Sequence, residues 1–480
     1  MIRCLLHASP GQGRRQPTPE KTCPYNTPVS SFFVENFGCR ATQADGAAIE
    51  RQLTEQGLRR AERIERAEVV VLNTCTVTSS ADHDARSMIR RIHRNNPDAR
   101  ILVTGCYAQR APEEIASIPG VSLVIGNSHK HELAKIAAAQ NGAFLPLSSI
   151  ASAAPAAGTV VVGDIFAHTE LLAAPVFDAD NEKTRPNLKV QDGCGNRCSF
   201  CIIPYVRGKS RSLPLDEVVR DVERLAANGY REIVLSGINL GRWGRDLPAT
   251  ATADALKRWR FADLLREILD RTAIQKLRIS SVEPMDWSDD LIELAASSPR
   301  ICKHAHVPLQ SGSDRILRRM HRKYRPWHYE DRIARIHGAM PEAAIGADVM
   351  VGFPGETDEK FEETRSLIER LPFTYLHVFT YSSRPGTPSA AMPGQVPAQI
   401  ARERNRILRE LAAQKKRAFQ QQFAGKRVEA ITLTNVSEGR TEALTDNYQK
   451  LWVRGTLAAN TSIVARVEAI EGDALAGSVV

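Results

Sequence analysis

Cys194, Cys198 and Cys201 stand at C-x3-C-x2-C spacing in Gly193-Cys194-Gly195-Asn196-Arg197-Cys198-Ser199-Phe200-Cys201, which runs on into Ile202-Ile203-Pro204-Tyr205-Val206-Arg207-Gly208. Three thiols this close together, on a loop with two glycines, can converge on a metal centre. A structural zinc knuckle would need a fourth Cys or His close by, and the nearest histidines in sequence are His168 and His304. A [4Fe-4S] cube takes four cysteine thiolates when closed, so three ligands leave one iron open for chemistry.

Cys39, Cys75 and Cys106 form a second candidate group. Each ends an apolar run, in Phe37-Gly38-Cys39, Asn73-Thr74-Cys75 and Thr104-Gly105-Cys106. The runs at 31–37, 67–72, 101–103 and 121–125 alternate with helix-like stretches such as 44–59 and 80–93. That alternation predicts a parallel α/β sheet, whose strand carboxyl ends share one ligand-binding edge. One cysteine after a strand is an ordinary small hydrophobe. Three at equivalent positions of successive units point to a second cluster site.

Strand and helix patterns resume from 187 to about 390, with the cysteine loop directly after the first strand. Six parallel units predict an incomplete β/α barrel with its active site at the strands' carboxyl ends. Four further turns should gather at that rim: Ser236-Gly237-Ile238-Asn239, Ser281-Val282-Glu283-Pro284, Gln310-Ser311-Gly312-Ser313 and Gly352-Phe353-Pro354-Gly355-Glu356-Thr357. Together they read as a cofactor cradle. A long charged helix follows from 398 to about 423. The tail beyond it has alternating runs at 428–433, 450–453 and 461–467, which predicts a small β-barrel of a type that often holds RNA, the alternative being a sheet that only packs against the large barrel. The expected organisation is a disordered leader (1–30, with Cys4 and Cys23), an α/β domain (31–147), an Ala/Pro-rich linker with an entry strand (148–185), the partial barrel with its helix (186–423) and the β-barrel (424–480).

The 480 residues are 42% hydrophobic and 25% charged, without an apolar run long enough for a membrane span. An odd count of nine cysteines with no secretory segment argues against a disulfide framework and for a reducing, cytoplasmic setting. Net charge of +9 favours a polyanionic partner. Six of the eleven residues 315–325 are Lys or Arg, beside Tyr324 and Trp327. With Arg207, Lys209 and Arg211, and with Arg242, Trp243 and Arg245, they are expected near the rim as phosphate and base contacts. Cys302, near His304 and His306, reads as a core residue.

Over about residues 31–470 the chain resembles the methylthiotransferase branch of the radical S-adenosylmethionine (SAM) enzymes, and within it the MtaB-type tRNA enzymes. The resemblance rests on the C-x3-C-x2-C loop with Ile-Ile-Pro-Tyr-Val-Arg-Gly, the three early cysteines, Gly352 to Thr357, and a tail that looks like a TRAM domain. Placement within the branch rests on Asn36-Phe37-Gly38-Cys39-Arg40-Ala41-Thr42-Gln43 and Gly237-Ile238-Asn239-Leu240-Gly241-Arg242-Trp243-Gly244. The resemblance implies that Cys194, Cys198 and Cys201 hold a radical-SAM [4Fe-4S] cluster, and that Cys39, Cys75 and Cys106 hold an auxiliary [4Fe-4S] cluster carrying the sulfur to be inserted. It also implies SAM as both radical source and methyl donor, with Ser236, Gly237, Glu283, Gln310, Ser311 and Gly352 as its candidate contacts.

The implied product is the 2-methylthio derivative of N6-threonylcarbamoyladenosine beside the anticodon. Implied partners are the tRNA anticodon stem-loop, a reducing electron donor and a sulfur source, with the enzyme itself a monomer. Two other substrates remain open within the branch, isopentenyladenosine in tRNA and an aspartate of a ribosomal protein. A non-catalytic iron-sulfur RNA-binding redox sensor is the alternative from another class.

Overall fold

Runs of β-branched residues build the first layer of the computed structural model, which describes residues 30–139, 158–167, 171, 184–251 and 256–480. Strand β1 (Ser31–Asn36) leads through helix α1 (Arg40–Glu55) to the short β2 (Arg59–Arg60). Then come β3 (Val69–Thr74), α2 (Ser79–Asn95), β4 (Arg100–Gly105), α3 (Cys106–Arg110), α4 (Pro112–Ala116), β5 (Val121–Gly126) and α5 (Leu133–Ala139). β3, Val-Val-Val-Leu-Asn-Thr, is buried along its whole length, as a parallel strand covered on both faces should be. Ile49 and Leu53 of α1 pack one face of the sheet with Leu133 of α5, while Ile89 and Ile92 of α2 and Tyr107 of α3 pack the other.

The sheet order is β2-β1-β3-β4-β5-β6, all parallel. Its sixth strand, β6 (Thr159–Val161), comes from the stretch expected to be a linker plus an entry strand of unspecified position. Three residues beside an Ala/Pro-rich run carry too little period to be located as a strand; pairing with β5 makes them one. Residues 1–29, including Cys4 and Cys23, and most of the expected linker lie outside the described residues.

The second unit opens with β7 (Asn187–Asp192), α6 (Ile203–Arg207), the short β8 (Arg211–Ser212), α7 (Leu215–Ala227) and β9 (Glu232–Gly237). A small hairpin, β10 (Thr250–Ala251) and β11 (Leu256–Lys257), precedes α8 (Phe261–Arg271), β12 (Lys276–Ile279), α9 (Asp289–Ser297) and β13 (His304–His306). After α10 (Asp314–Arg319) and α11 (Pro326–Ala339) come β14 (Ala344–Val351), α12 (Asp358–Arg370) and β15 (Tyr375–Thr380).

β7, β9 and β12 pair in parallel, as do β13, β14 and β15, and bridges from Leu277 to Ile301 and Ser281 to His306 join the two halves into one arc of six strands. The expected incomplete barrel is therefore present. Its inner and outer layers share one apolar core running from Leu188 and Val190 to Ile345 and Val378.

α13 (Ala398–Gln421) lies across β15, where Asn405 donates to the Val378 carbonyl at 3.0 Å. It leads into a closed five-stranded barrel of β16 (Arg427–Ser437), β17 (Arg440–Thr445), β18 (Lys450–Arg454), β19 (Ser462–Glu471) and β20 (Ala474–Val479), ordered β16-β17-β18-β20-β19. This small barrel covers the amino-terminal end of the large one. Arg278 donates to the carbonyls of Thr445 and Asp446, Arg231 to that of Asn460, and Tyr448 packs on His304 at 4.5 Å between ring centres. Among the described residues no helix is long and apolar enough to cross a membrane.

The α/β domain is held to the large barrel by buried charge. Asp45 of α1 receives Lys130 at 3.0 Å, Arg207 at 3.0 Å and Lys189, while Asp192 receives Lys189 at 3.0 Å and Arg207 at 3.0 and 3.1 Å. All five side chains are inaccessible to solvent or nearly so. Burial by itself would raise Asp45, but Lys130, Lys189 and Arg207 outweigh it and bring the carboxyl down to about 2. Lys130 is lowered as well: burial and the neighbouring Arg207 hold it below the usual lysine value in spite of Asp45.

Removing one carboxylate from such a network strands buried cations, at a cost of about 3–5 kcal/mol. Asp45→Asn should show that loss at pH 7 in urea unfolding followed by tryptophan fluorescence. The folded pKa of Asp45 lies below its unfolded value, so its contribution is complete above about pH 4 and fades as the pH falls towards about 2. The gap between wild type and Asp45→Asn should narrow over that range; an equal gap at pH 7 and at about pH 2 would contradict the assignment.

Candidate functional site

The cysteine loop leaves the carboxyl end of β7 through Gly193, at φ +70, where a Cβ would fall 2.0 Å from the Lys209 carbonyl oxygen. Only glycine fits there. The loop is then stitched down: Cys194 N–H donates to Gly208 O at 3.1 Å, Ser199 N–H to Met320 O at 3.1 Å, and Ser199 Oγ to Arg319 O at 2.7 Å. Cys194 Sγ accepts from Asn196 N–H at 3.4 Å and Asn239 Nδ2 at 3.5 Å, and Cys198 Sγ accepts from Arg322 Nη1 at 3.4 Å. Burial, with Cys198 adjacent, pushes the Cys201 thiol up to about 12, and burial also raises Cys194. At neutral pH such thiols stay protonated until a metal ion displaces the proton.

The second thiol group is drawn together by the first sheet. Cys39 caps the start of α1, Cys75 directly follows β3, and Cys106 begins α3 after β4. Cys75 is pushed up to about 12 by burial first and then by Cys106, with Cys39 adding to it, so the three sulfurs lie within electrostatic reach of one another. Gly38, at φ +104, leaves the room this needs, since a Cβ there would meet Cys75 Cβ at 2.7 Å. Asn127 ties the two groups: its Nδ2 donates to Val206 O at 2.7 Å, in the helix behind the cysteine loop, and reaches Cys106 Sγ at 3.6 Å.

A cavity of about 430 Å3 lies between the groups, lined by Cys39 on one side and by Cys194, Cys198 and Cys201 on the other. Ser236, Gly237, Glu283 and Gln310, four of the residues proposed from the resemblance as SAM contacts, line it too. Ser311 and Gly352 are not among its lining residues. Ser311 is wholly buried with its hydroxyl shared between Thr364 Oγ1 and Ser313 N–H, and Gly352 gives its N–H to Glu356 at 2.9 Å and packs against Ala401. Both shape the loops rather than the wall.

Three buried polar atoms on that wall, Ser236 Oγ, Asn239 Oδ1 and Gln310 Oε1, have no partner among the described residues. Gln310 also holds φ +64, a conformation that costs a non-glycine residue energy and recurs at ligand sites. Unsatisfied acceptors and hydroxyls beside three thiols fit a polar ligand seated on a metal centre. Another cavity, of about 310 Å3, sits where the small barrel meets Glu232 and Lys276, and no thiol lines it.

Of the cations expected to face RNA, Arg207 and Arg322 are buried and Arg242 and Arg245 are tied to a carboxylate, while Lys209, Arg245, Arg315, Arg318 and Lys323 are exposed. Arg207 is in the buried charge network, Arg322 bonds Cys198 and Glu283, and Arg242 and Arg245 both pair with Asp286. Trp243 is buried with its Nε1 on Leu213 O, and the Tyr324 hydroxyl is spent on the carbonyls of Pro308 and Leu309. Trp327 does remain exposed. A sequence run shows that cations cluster but not which carboxylates come from elsewhere to meet them. Asn127, Asn239 and Arg322 were accordingly missed as sulfur partners. Cys302 is buried in the core as expected.

The arc of six strands with a three-cysteine loop at its carboxyl rim defines a radical SAM fold, and the comparisons agree. Residues 188–368 match the Radical SAM superfamily and residues 31–126 match the uncharacterized protein family UPF0004. A solved radical SAM methyltransferase, TsrM from Kitasatospora setae, superposes with TM-score 0.53 at 17% identity, covering 75% of this chain and 77% of that one. The threonylcarbamoyladenosine tRNA methylthiotransferase MtaB of Bacillus subtilis is 38% identical over 433 residues, 89% of this chain and 91% of that protein. A tRNA-2-methylthio-N(6)-dimethylallyladenosine synthase of Syntrophobacter fumaroxidans is 34% identical over 392 residues, 80% of each chain. The chain belongs to the radical SAM methylthiotransferase family, enzymes that use SAM and a [4Fe-4S] cluster.

Gly38→Ala tests the packing of the early thiols. A methyl group against Cys75 at positive φ should cost about 1–3 kcal/mol locally and lower the iron retained after anaerobic reconstitution, with the fold intact by circular dichroism. Full iron content in the variant would show that Cys75 needs no such clearance.

Proposed function

We propose that the protein converts N6-threonylcarbamoyladenosine beside the anticodon of tRNA to its 2-methylthio derivative. The observation that carries this reading is a cavity flanked by thiols of both groups, in a chain most of whose length matches the Bacillus subtilis relative named for that reaction. Cys194, Cys198 and Cys201 would hold the cluster that binds SAM, and Cys39, Cys75 and Cys106 a second cluster that bears sulfur. When bound, the first cluster would pass an electron to SAM to give a hydrogen-abstracting radical, the second would carry the sulfur, and a further SAM would supply the methyl group, drawing on an outside electron donor and sulfur source.

The chain's own residues set the stage for that chemistry. Ser236, Asn239 and Gln310 offer their open polar atoms to SAM, and Glu283 is held by Arg322 on the same wall. Arg322 and Asn239, each donating to a ligand sulfur, fix its orientation and stabilise its negative charge. Phe200, Ile203 and Val77 line the cavity with apolar surface, which keeps water from a reactive radical.

Mass analysis of nucleosides made by the reconstituted enzyme tests the scheme. Cys198→Ala should abolish reductive cleavage of SAM to 5′-deoxyadenosine. Cys75→Ala should keep that cleavage and form no methylthio nucleoside, and modification by both variants would rule out the two-cluster reading. Wild-type enzyme that leaves threonylcarbamoyladenosine unchanged and modifies isopentenyladenosine would move the substrate to the other branch.

The small barrel is proposed to grip RNA away from the reacting base. Arg427 and Arg466 oppose each other across β16 and β19 on its exposed surface, a like-charge pairing that a phosphate would relieve. Arg427→Glu with Arg466→Glu should weaken tRNA affinity and reduce the slope of log affinity against log salt by about two. An unaltered slope would take RNA off this face.

A further inference from the structure

One cation on the cavity wall has no counterion. Arg40, the first residue of α1 and the neighbour of Cys39, lines the cavity with no carboxylate in salt-bridge range among the described residues. The carboxylates that share the wall are already engaged, Glu283 by Arg322 and Asp348 by His306 at 3.2 Å and His377 at 3.3 Å. The root of Arg40 is fixed, because Asn187 Nδ2 donates to its carbonyl oxygen at 2.8 Å.

The side chain is partly buried, and its charge is felt inside the barrel. Its charge adds to burial, Arg278 and His306 in holding the buried His304 well below the usual histidine value, and it acts on Tyr375 as well. A guanidinium on a cavity wall with no carboxylate beside it can take one from a ligand, and its planar fork matches a carboxylate in bidentate fashion.

We propose that Arg40 forms a carboxylate subsite, and that it takes the threonyl carboxylate carried on N6 of the substrate adenine. This rests on the reading given under Proposed function. In adenine, C2 and the carbon bearing N6 both flank N1, so a base whose C2 faces the Cys39 thiol group presents its N6 substituent along the same edge. The residue next to Cys39 is placed to meet it. An isopentenyl group carries no anion and would leave the guanidinium unpaired, so the subsite also selects between the two tRNA nucleosides. SAM is the other source of a carboxylate in this cavity. Arg322, beside Cys198 and Glu283, is the cation at that end.

The test uses reconstituted enzyme and two anticodon stem-loops, one with N6-threonylcarbamoyladenosine and one with the threonine as its carboxamide. Kd is read by fluorescence anisotropy and kcat/KM by nucleoside mass analysis. Wild type should favour the carboxylate about 100-fold. Arg40→Gln should bring that ratio close to one, and Arg40→Lys should restore part of it, since lysine keeps the charge and loses the fork.

Iron content and circular dichroism report whether each variant is loaded and folded, and Arg40→Lys carries the test if Arg40→Gln is not. A ratio kept at the wild-type value in a loaded variant overturns the subsite. A loss that appears instead in the KM for SAM, measured without stem-loop, overturns it in favour of the SAM carboxylate. If wild type fails to modify the threonylcarbamoyl stem-loop at all, the proposed function falls and the subsite with it; normal wild-type turnover with an unaltered ratio in the variants removes the subsite alone.

Discussion

The buried charge network of Asp45, Lys130, Lys189, Asp192 and Arg207 is the constraint on which the geometry of the site depends. It joins α1 of the first domain to β7 and to the helix behind the cysteine loop, and so fixes one thiol group relative to the other. Three cations face two carboxylates, all shielded from bulk solvent. Lys130 and Arg207 lie within electrostatic range of Cys106, and Arg207 of Cys39. The uncompensated charge therefore points at the early cysteines, where ionised thiolates would balance it. Docking of the two domains and ionisation of those sulfurs favour one another for the same electrostatic reason.

The cavity is a product of that docking. An arc of six strands has no closed interior, and here the first turn of α1 supplies Cys39, Arg40 and Ala41 to the same cavity as Pro308, Gln310 and Asp348 from the barrel. The small barrel covers the opposite end, with Tyr448 against His304 and the Arg278–Glu232 pair sealed beneath it. A reactive radical needs such enclosure, since open solvent at either end would quench it. The small barrel thus has a packing role in addition to any contact with RNA.

Charge in this protein serves the interior more than its basic runs indicate. Arg207, Arg322 and Arg404 are all nearly inaccessible and each is matched to a carboxylate: Asp192, Glu283 and Glu356 respectively. Against that background Arg40 stands out, a cation with a fixed backbone and an open partner position.

The sequence by itself determined the two cysteine groups, the alternation of strand and helix that sets them at strand ends, and the small barrel that follows. Those features are local: C-x3-C-x2-C spacing, Gly193 and Gly38 at the turns, and β-branched runs such as Val69–Thr74 can be read within a few residues of one another. It left undecided the edge strand β6, the packing of Ser311 and Gly352, and the direction in which each arginine points. Only the tertiary structure settled these, because burial and ion pairing depend on partners far away in the chain. Asp45 meets Arg207 across 162 positions, and Arg322 meets Cys198 across 124. The two thiol groups were legible from their spacing; which residues surround them was decided by the fold.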